Sequence, residues 1–199
     1  MSKTPIILGI SGKMGSGKDF MVENVIVPFF SQRGLRVSQV CFADQLKVEV
    51  ASKFNFPLEK MFGDKTPEIR NKLQIYGTEE GRDKYHPDIW INATECWIKL
   101  RHMRGEADVF VIADCRFKNE AAWFECNNNL LIRLNAADRT AQRMQVDSGG
   151  DQEVYEKIKN HRSEIDLDNF EFKNVVDNTC ENMENSAKDF QRILTDKYT

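Results

Sequence analysis

Ile6-Ile7-Leu8-Gly9-Ile10-Ser11-Gly12-Lys13-Met14-Gly15-Ser16-Gly17-Lys18-Asp19 decides the fold: an apolar run of strand length breaks into a glycine-rich loop and then into a segment with helical spacing. From Gly12 the spacing is G-x-x-x-x-G-K, followed by Asp19 where the usual phosphate-binding loop carries Ser or Thr. Such a loop works because successive backbone N–H groups turn inward around an anion, which glycines allow by adopting positive φ without a Cβ clash. Gly15 and Gly17 stand where that freedom is needed. A helix starting near Lys18 aims its unpaired first-turn amides and the positive end of its dipole at the same anion, and Lys18 adds a full charge. Asp19, a hard oxygen donor, is a candidate Mg²⁺ ligand in place of the missing hydroxyl, although it brings negative charge close to phosphates.

Outward from this loop, residues Asp19 to Arg33 repeat apolar groups at near-helical period, with Pro28 expected to kink or shorten the helix and Gly34 to stop it. Val37–Phe42 reads as a second strand, and the strand–loop–helix–strand unit implies a parallel sheet with a right-handed crossover. Asp108-Val109-Phe110-Val111-Ile112-Ala113-Asp114 reads as a buried central strand ending in a carboxylate. In phosphate-loop enzymes a carboxylate there holds Mg²⁺ or its water shell, or receives the acceptor's proton. Asp114 is therefore a candidate for metal and catalysis, and Arg116 follows at the same strand end. Asn129–Leu134 and Asn174–Asp177 complete a five-stranded parallel sheet flanked by helices, closed by a helix over Met183–Leu194.

Two interruptions carry further expectations. Between residues 45 and 105 there is no strand pattern, only helical patterns around Leu46–Phe54, Pro67–Tyr76 and Asp88–Arg104, a helical insertion suited to an acceptor pocket. Residues 136–165 are expected to form a lid. Arg139 and Arg143, four apart, share a helix face, and the Asp147-Ser148-Gly149-Gly150 that follows should be mobile. Arginine forks that stabilise a migrating phosphoryl group while closure excludes water make both catalytic candidates. His86, His102 and His161 are too scattered for a metal triad, and no Ser-His-Asp, Cys-His or H-E-x-x-H arrangement supports hydrolase chemistry.

The 199 residues suit one α/β domain with an inserted subdomain. A net charge of −3 supplies no broad basic field for nucleic acid, and no apolar run approaches membrane-spanning length. The N-terminus lacks a signal-peptide pattern, so a cytoplasmic location is expected. The five cysteines are odd in number and never spaced C-x-x-C, which suggests neither disulfides nor zinc.

Gly12–Asp19, Phe42-Ala43-Asp44-Gln45-Leu46-Lys47, Leu73–Arg82, Ala113–Ala121 and His161-Arg162-Ser163-Glu164 together resemble, in order and over nearly the whole chain, the deoxynucleoside monophosphate kinases of tailed phages. The chain is also similar to animal phosphomevalonate kinases in Ser16-Gly17-Lys18-Asp19-Phe20 and in the Asp114/Arg116 strand end. What the resemblance implies is a nucleoside-monophosphate-kinase-like fold with ATP and Mg²⁺ at the loop and a monophosphate acceptor at the helical insertion. It assigns Gly12, Lys13, Gly15, Ser16, Gly17, Lys18, Asp19 and Phe20 to the nucleotide, Asp19 and Asp114 to the metal, and Lys18, Asp114 and Arg116 to the reaction centre. Ala43, Asp44, Lys47, Gln74, Gly77, Arg82 and Trp90 are the implied acceptor contacts. The expected activity is ATP-dependent phosphorylation of a deoxynucleoside monophosphate, with a homodimer left open. The alternatives are a kinase acting on a hydroxymethylated pyrimidine in phage DNA, a phosphomevalonate-kinase-like enzyme, and a nucleotide-dependent module without transfer activity.

Overall fold

Strand β1 (Ile6–Ser11) takes the middle of a five-stranded sheet because its alternate residues are apolar on both faces, with Leu8 and Ile10 sealed from solvent. With β2 (Val37–Val40), β3 (Val109–Cys115), β4 (Leu130–Asn135) and β5 (Val175–Asp177), the order across the sheet is β2-β3-β1-β4-β5. The pairings of β1 with β3, β1 with β4, and β4 with β5 are parallel. The computed structural model describes residues 4–63 and 65–199, and the backbone alone of Met183 and Glu184. Five parallel strands flanked by helices match the sequence expectation.

The helix after the phosphate loop runs as α1 (Lys18–Met21), a π-helical turn over Val22–Ile26, and α2 (Val27–Ser31). Pro28 was expected to kink or shorten it; the backbone widens into the π-helical turn just before Pro28, which sits in the first turn of α2, where a missing N–H is tolerated. Gly34, at φ 73°, then terminates the helix.

The chain divides into two units, one running up to Gln39 and resuming from Glu106 to Thr199, the other spanning Val40–Gly105. In the first, the sheet packs against α1, α2 and α11 (Met183–Tyr198) through residues such as Met21, Ile26, Phe30, Phe190 and Leu194. That last helix runs further than the Leu194 expected, because Tyr198 seats its ring 5.3 Å from Phe30. The other sheet face carries α7 (Lys118–Cys126), so tightly that a Cβ on Gly9 would lie 2.4 Å from the Phe124 ring. After β4 come α8 (Ala137–Asp147), α9 (Gln152–Lys159) and α10 (Arg162–Ile165).

The second unit is helical, as expected: α3 (Ala43–Phe54), α4 (Leu58–Phe62), α5 (Pro67–Ile75), a π-helical segment over Tyr76–Asp83, and α6 (Ile89–Met103). Strand β2 stops two residues before the expected Phe42. Asp44 is the cause: its carboxylate accepts the Cys41 N–H at 2.8 Å and its own N–H donates to the Cys41 carbonyl, turning the chain into α3. The one-turn α4 and α10 were not foreseen, being too short to show a period. Among the described residues no helix is long and apolar enough to cross a membrane.

Candidate active site

Gly15 and Gly17 adopt φ 76° and 88°, the left-handed values expected of a loop that turns its amides inward. Helix α8 lies directly behind this turn. A Cβ on Gly15 would meet the Arg143 Cβ at 2.9 Å and the Arg139 carbonyl at 3.0 Å, so glycine is required there twice over. Arg139 reaches the Asn178 carbonyl at 3.5 Å, and the Arg143 Nε pairs with Asp147 at 3.2 Å. Both arginines of the expected lid are therefore gathered at the loop. Asn178, one residue past β5, clamps it from the other side: its amide donates to the Ser16 carbonyl at 2.7 Å while its own carbonyl oxygen accepts the Ser186 hydroxyl at 2.8 Å. Phe20 projects into solvent, half exposed, from α1.

Lys18 curls back over its own loop, donating to the carbonyls of Gly12 and Lys13 at 2.8 and 3.0 Å. Burial pulls its pKa down from 10.5 to about 8, and the neighbouring Arg116 and Arg133 cations push the same way, against Glu164 and Asp19. The ammonium is thus a desolvated charge held where phosphates would repay it.

At the tip of β3, Asp114 is half-buried and Arg116 follows. Glu120, buried in the first turn of α7, accepts the N–H groups of Arg116 and Phe117 at 2.8 and 3.1 Å, which fixes the strand-to-helix turn. The Arg116 guanidinium pairs with Glu164, whose side chain is only 4% exposed and which also accepts the Met14 N–H of the phosphate loop at 3.2 Å. A carboxylate on a loop amide shows that the loop accommodates an anion. Nearby, Lys13 pairs with Asp168 at 2.7 Å, and Arg133 on β4 donates to the Ser11 hydroxyl at 2.9 Å with its guanidinium 5.3 Å from the Phe172 ring centre. Burial lowers the Arg133 pKa, partly offset by Asp168.

Glu164, Asp168, Arg133 and Asn178 were not singled out from the sequence. Arg133 had a signal, a lone cation inside the apolar strand Leu130-Leu131-Ile132-Arg133-Leu134. Glu164 lies in a motif that carried the resemblance without a role.

The donor set suits a hydrated Mg²⁺ rather than a protein cage. Asp19 is exposed in the first turn of α1 and Asp114 stands at a strand end, while no group of three His, Cys, Asp or Glu side chains is placed for a metal among the described residues. One or two carboxylates plus substrate phosphates is the usual complement of such an ion. The positive-φ glycines of the loop and the Lys18 ammonium likewise fit ATP phosphates.

The expected acceptor residues gather within the helical unit. Asp44, besides turning the chain, accepts Lys47 at 3.0 Å, and the Lys47 ammonium stands 4.6 Å over the Phe62 ring. Leu46 of α3 lies against Gly77, where a Cβ would meet it at 2.9 Å. The π-helical segment presents the Gly77 carbonyl to two donors, Arg82 at 3.1 Å and the Trp90 indole at 2.9 Å. Trp90 departs from its expected role. At 1% exposure, with its indole N–H engaged and Gly81 packed on its ring, it is a scaffold residue that holds the π segment rather than a surface for ligand. Ala43 opens α3, half-buried, and Gln74 is exposed on α5.

Among solved structures, TT1252 from Thermus thermophilus superposes with a TM-score of 0.54 at 19% identity, covering 99% of this chain and 100% of its own. Shikimate kinase from Bacteroides thetaiotaomicron gives 0.48 at 15% identity, covering 96% and 98%. The first likeness speaks for the fold alone. No curated protein sequence matches. A family profile, that of phosphomevalonate kinase, matches residues 10–129, a span that takes in the phosphate loop, the whole helical unit and the Asp114/Arg116 strand end. The chain belongs to the phosphomevalonate kinase family.

Proposed function

We propose that the protein is an ATP- and Mg²⁺-dependent kinase that phosphorylates the phosphate of a deoxynucleoside monophosphate, giving the diphosphate. The observation that carries the reading is the cluster of Lys18, Arg116 and Arg133 beside a phosphate loop: Lys18 is buried against its own loop carbonyls, and both arginines stand close enough to add to the burial that lowers its proton affinity. Such a concentration of desolvated charge is costly without a polyanion to receive. Phosphoryl transfer spreads negative charge over the migrating group's oxygens, so cations placed in advance favour the transition state without reorganising. Lys18 and the loop amides hold the donor phosphates, Arg116 stabilises the migrating group, and Arg139 and Arg143 close on the donor. When bound, Mg²⁺ neutralises donor phosphate charge, with Asp19 and Asp114 as its protein carboxylates. Arg82 and Lys47 bind the acceptor phosphate, and the exposed Gln74 carboxamide offers the paired donor and acceptor that a base edge would use.

A second reading, phosphomevalonate as acceptor, is favoured by the family profile over residues 10–129. Both acceptors are phosphomonoesters, so the donor chemistry is the same and only the contacts of the helical unit differ. ADP release from Mg·ATP, measured with deoxynucleoside monophosphates, phosphomevalonate, hydroxymethylated duplex DNA and no acceptor, separates them. Turnover with a deoxynucleoside monophosphate supports the proposal. Turnover with phosphomevalonate or DNA alone, or none above the no-acceptor rate, overturns it.

A further inference from the structure

The segment from His161 to Asp168 is tied to the catalytic loops by three carboxylates in succession at alternate positions. Glu164 takes Arg116 and the Met14 N–H, Asp166 accepts the Lys118 N–H at 2.7 Å, and Asp168 takes Lys13 at 2.7 Å. The three do not have equal burial. The Asp168 side chain is 39% exposed and its ion pair is worth little, whereas that of Glu164 is 4% exposed. A carboxylate that deep persists only with charge and hydrogen-bond partners, and its two partners belong to the two elements that perform the proposed chemistry. Its own element is fixed too: the His161 ring accepts the Ser163 N–H at 3.2 Å, capping the turn that presents Glu164.

We propose that Glu164 is a positioning residue: its carboxylate aims the Arg116 guanidinium and pins the phosphate loop at Met14, so that the 161–168 segment sets the distance between migrating-group cation and donor loop. This rests on the kinase reading above. A neutral isostere keeps the shape and one acceptor for Met14 but leaves Arg116 without its counter-charge. An arginine so released samples other rotamers, and the loss is felt when charge develops rather than when ATP binds.

The test uses the full chain with Glu164→Gln, Glu164→Asp, Arg116→Ala and the double variant Glu164→Gln/Arg116→Ala. Glu164→Gln is expected to lower kcat at least tenfold while the Mg·ATP Kd stays within about threefold, with Glu164→Asp recovering part of the rate. The double variant should lose less than the product of the two single losses, since the part of Glu164's effect that passes through Arg116 is already absent in Arg116→Ala. Deuterium uptake of a peptide covering residues 12–18 should rise in Glu164→Gln and fall back in Glu164→Asp. Additive rate losses, an ATP affinity that falls as far as kcat, or unchanged loop uptake each overturn the proposal. If no acceptor supports turnover, the kinase reading fails, and the uptake measurement still decides whether Glu164 pins the loop.

Discussion

Lys18 is expected to be a liability to the fold and a necessity to the function, and the two can be measured apart in Lys18→Met. In the ligand-free protein its pKa is about 8 against an unfolded 10.5. At about 1.36 kcal/mol per unit the buried charge costs about 3 kcal/mol below pH 8. Methionine removes that cost and also the hydrogen bonds to the Gly12 and Lys13 carbonyls, each worth about 1 kcal/mol net. The variant should therefore be more stable at pH 7 by about 1 to 2 kcal/mol, a rise in Tm of about 3 to 6 °C for a chain of this size. The gain must depend on pH in a fixed direction. Between pH 8 and 10.5 the unfolded wild type binds more protons than the folded one, so wild-type stability rises by about 3 kcal/mol, and the variant's advantage vanishes within that window and becomes a deficit of about 1 to 2 kcal/mol at its upper end. Urea melts of both proteins at pH 7 and pH 10, without nucleotide, read this directly. Turnover should be nearly abolished. A variant less stable than wild type at pH 7, or an advantage equal at both pH values, would refute the account of Lys18 as a desolvated charge awaiting phosphate.

Asp19→Ser, which restores the hydroxyl of the usual loop, should retain activity with a shifted Mg²⁺ midpoint; a titration unchanged in midpoint and amplitude means Asp19 is not near the metal. Gly15→Ala forces a side chain into φ 76° against α8, and should cost about 1 to 3 kcal/mol in a urea melt as well as weakening ATP. Arg82→Ala should raise the acceptor KM far more than the ATP KM, whereas Arg116→Ala lowers kcat, a split read from initial rates on whichever acceptor is active. If Arg82→Ala weakens ATP instead, the acceptor is not held by the helical unit.

The sheet was legible because its strands are runs such as Val109–Ala113, apolar on both faces, and because the glycine spacing after β1 admits few other conformations. What escaped was set by tertiary partners. The π-helical turn over Val22–Ile26, immediately before α2 with Pro28 in its first turn, follows no sequence period and so is not legible in the spacing of apolar residues. The resemblance implies Trp90 as an acceptor contact, yet the Gly77 carbonyl of the π-helical segment, thirteen residues earlier, claims its indole. Glu164 is adjacent to nothing functional in sequence, 48 residues from Arg116 and 150 from Met14. Only folding shows that its charge is spent on the site.

These placements share a logic. The described cations of the proposed donor site are each engaged within the chain: Lys13 by Asp168, Lys18 by loop carbonyls, Arg116 by Glu164, Arg133 by Ser11, Arg139 by the Asn178 carbonyl and Arg143 by Asp147. Bare cations this close would repel one another; burial is the main cause of the lowered pKa values of Lys18 and Arg133, and repulsion from Arg116 adds to it at both. Neutral oxygens hold Lys18, Arg133 and Arg139, whereas carboxylates hold Lys13, Arg116 and Arg143. ATP phosphates can displace a carbonyl or hydroxyl with a net electrostatic gain, but displacing a carboxylate exchanges one anion for another and strands the acid. On the proposed kinase reading the first group would bind nucleotide directly, and within the second only the pair with the buried acid, Arg116 and Glu164, would have to stay together while Arg116 met the migrating phosphoryl group. An arginine fork has donors enough for both, which is why that position is served by arginine and why a lysine there would have to choose.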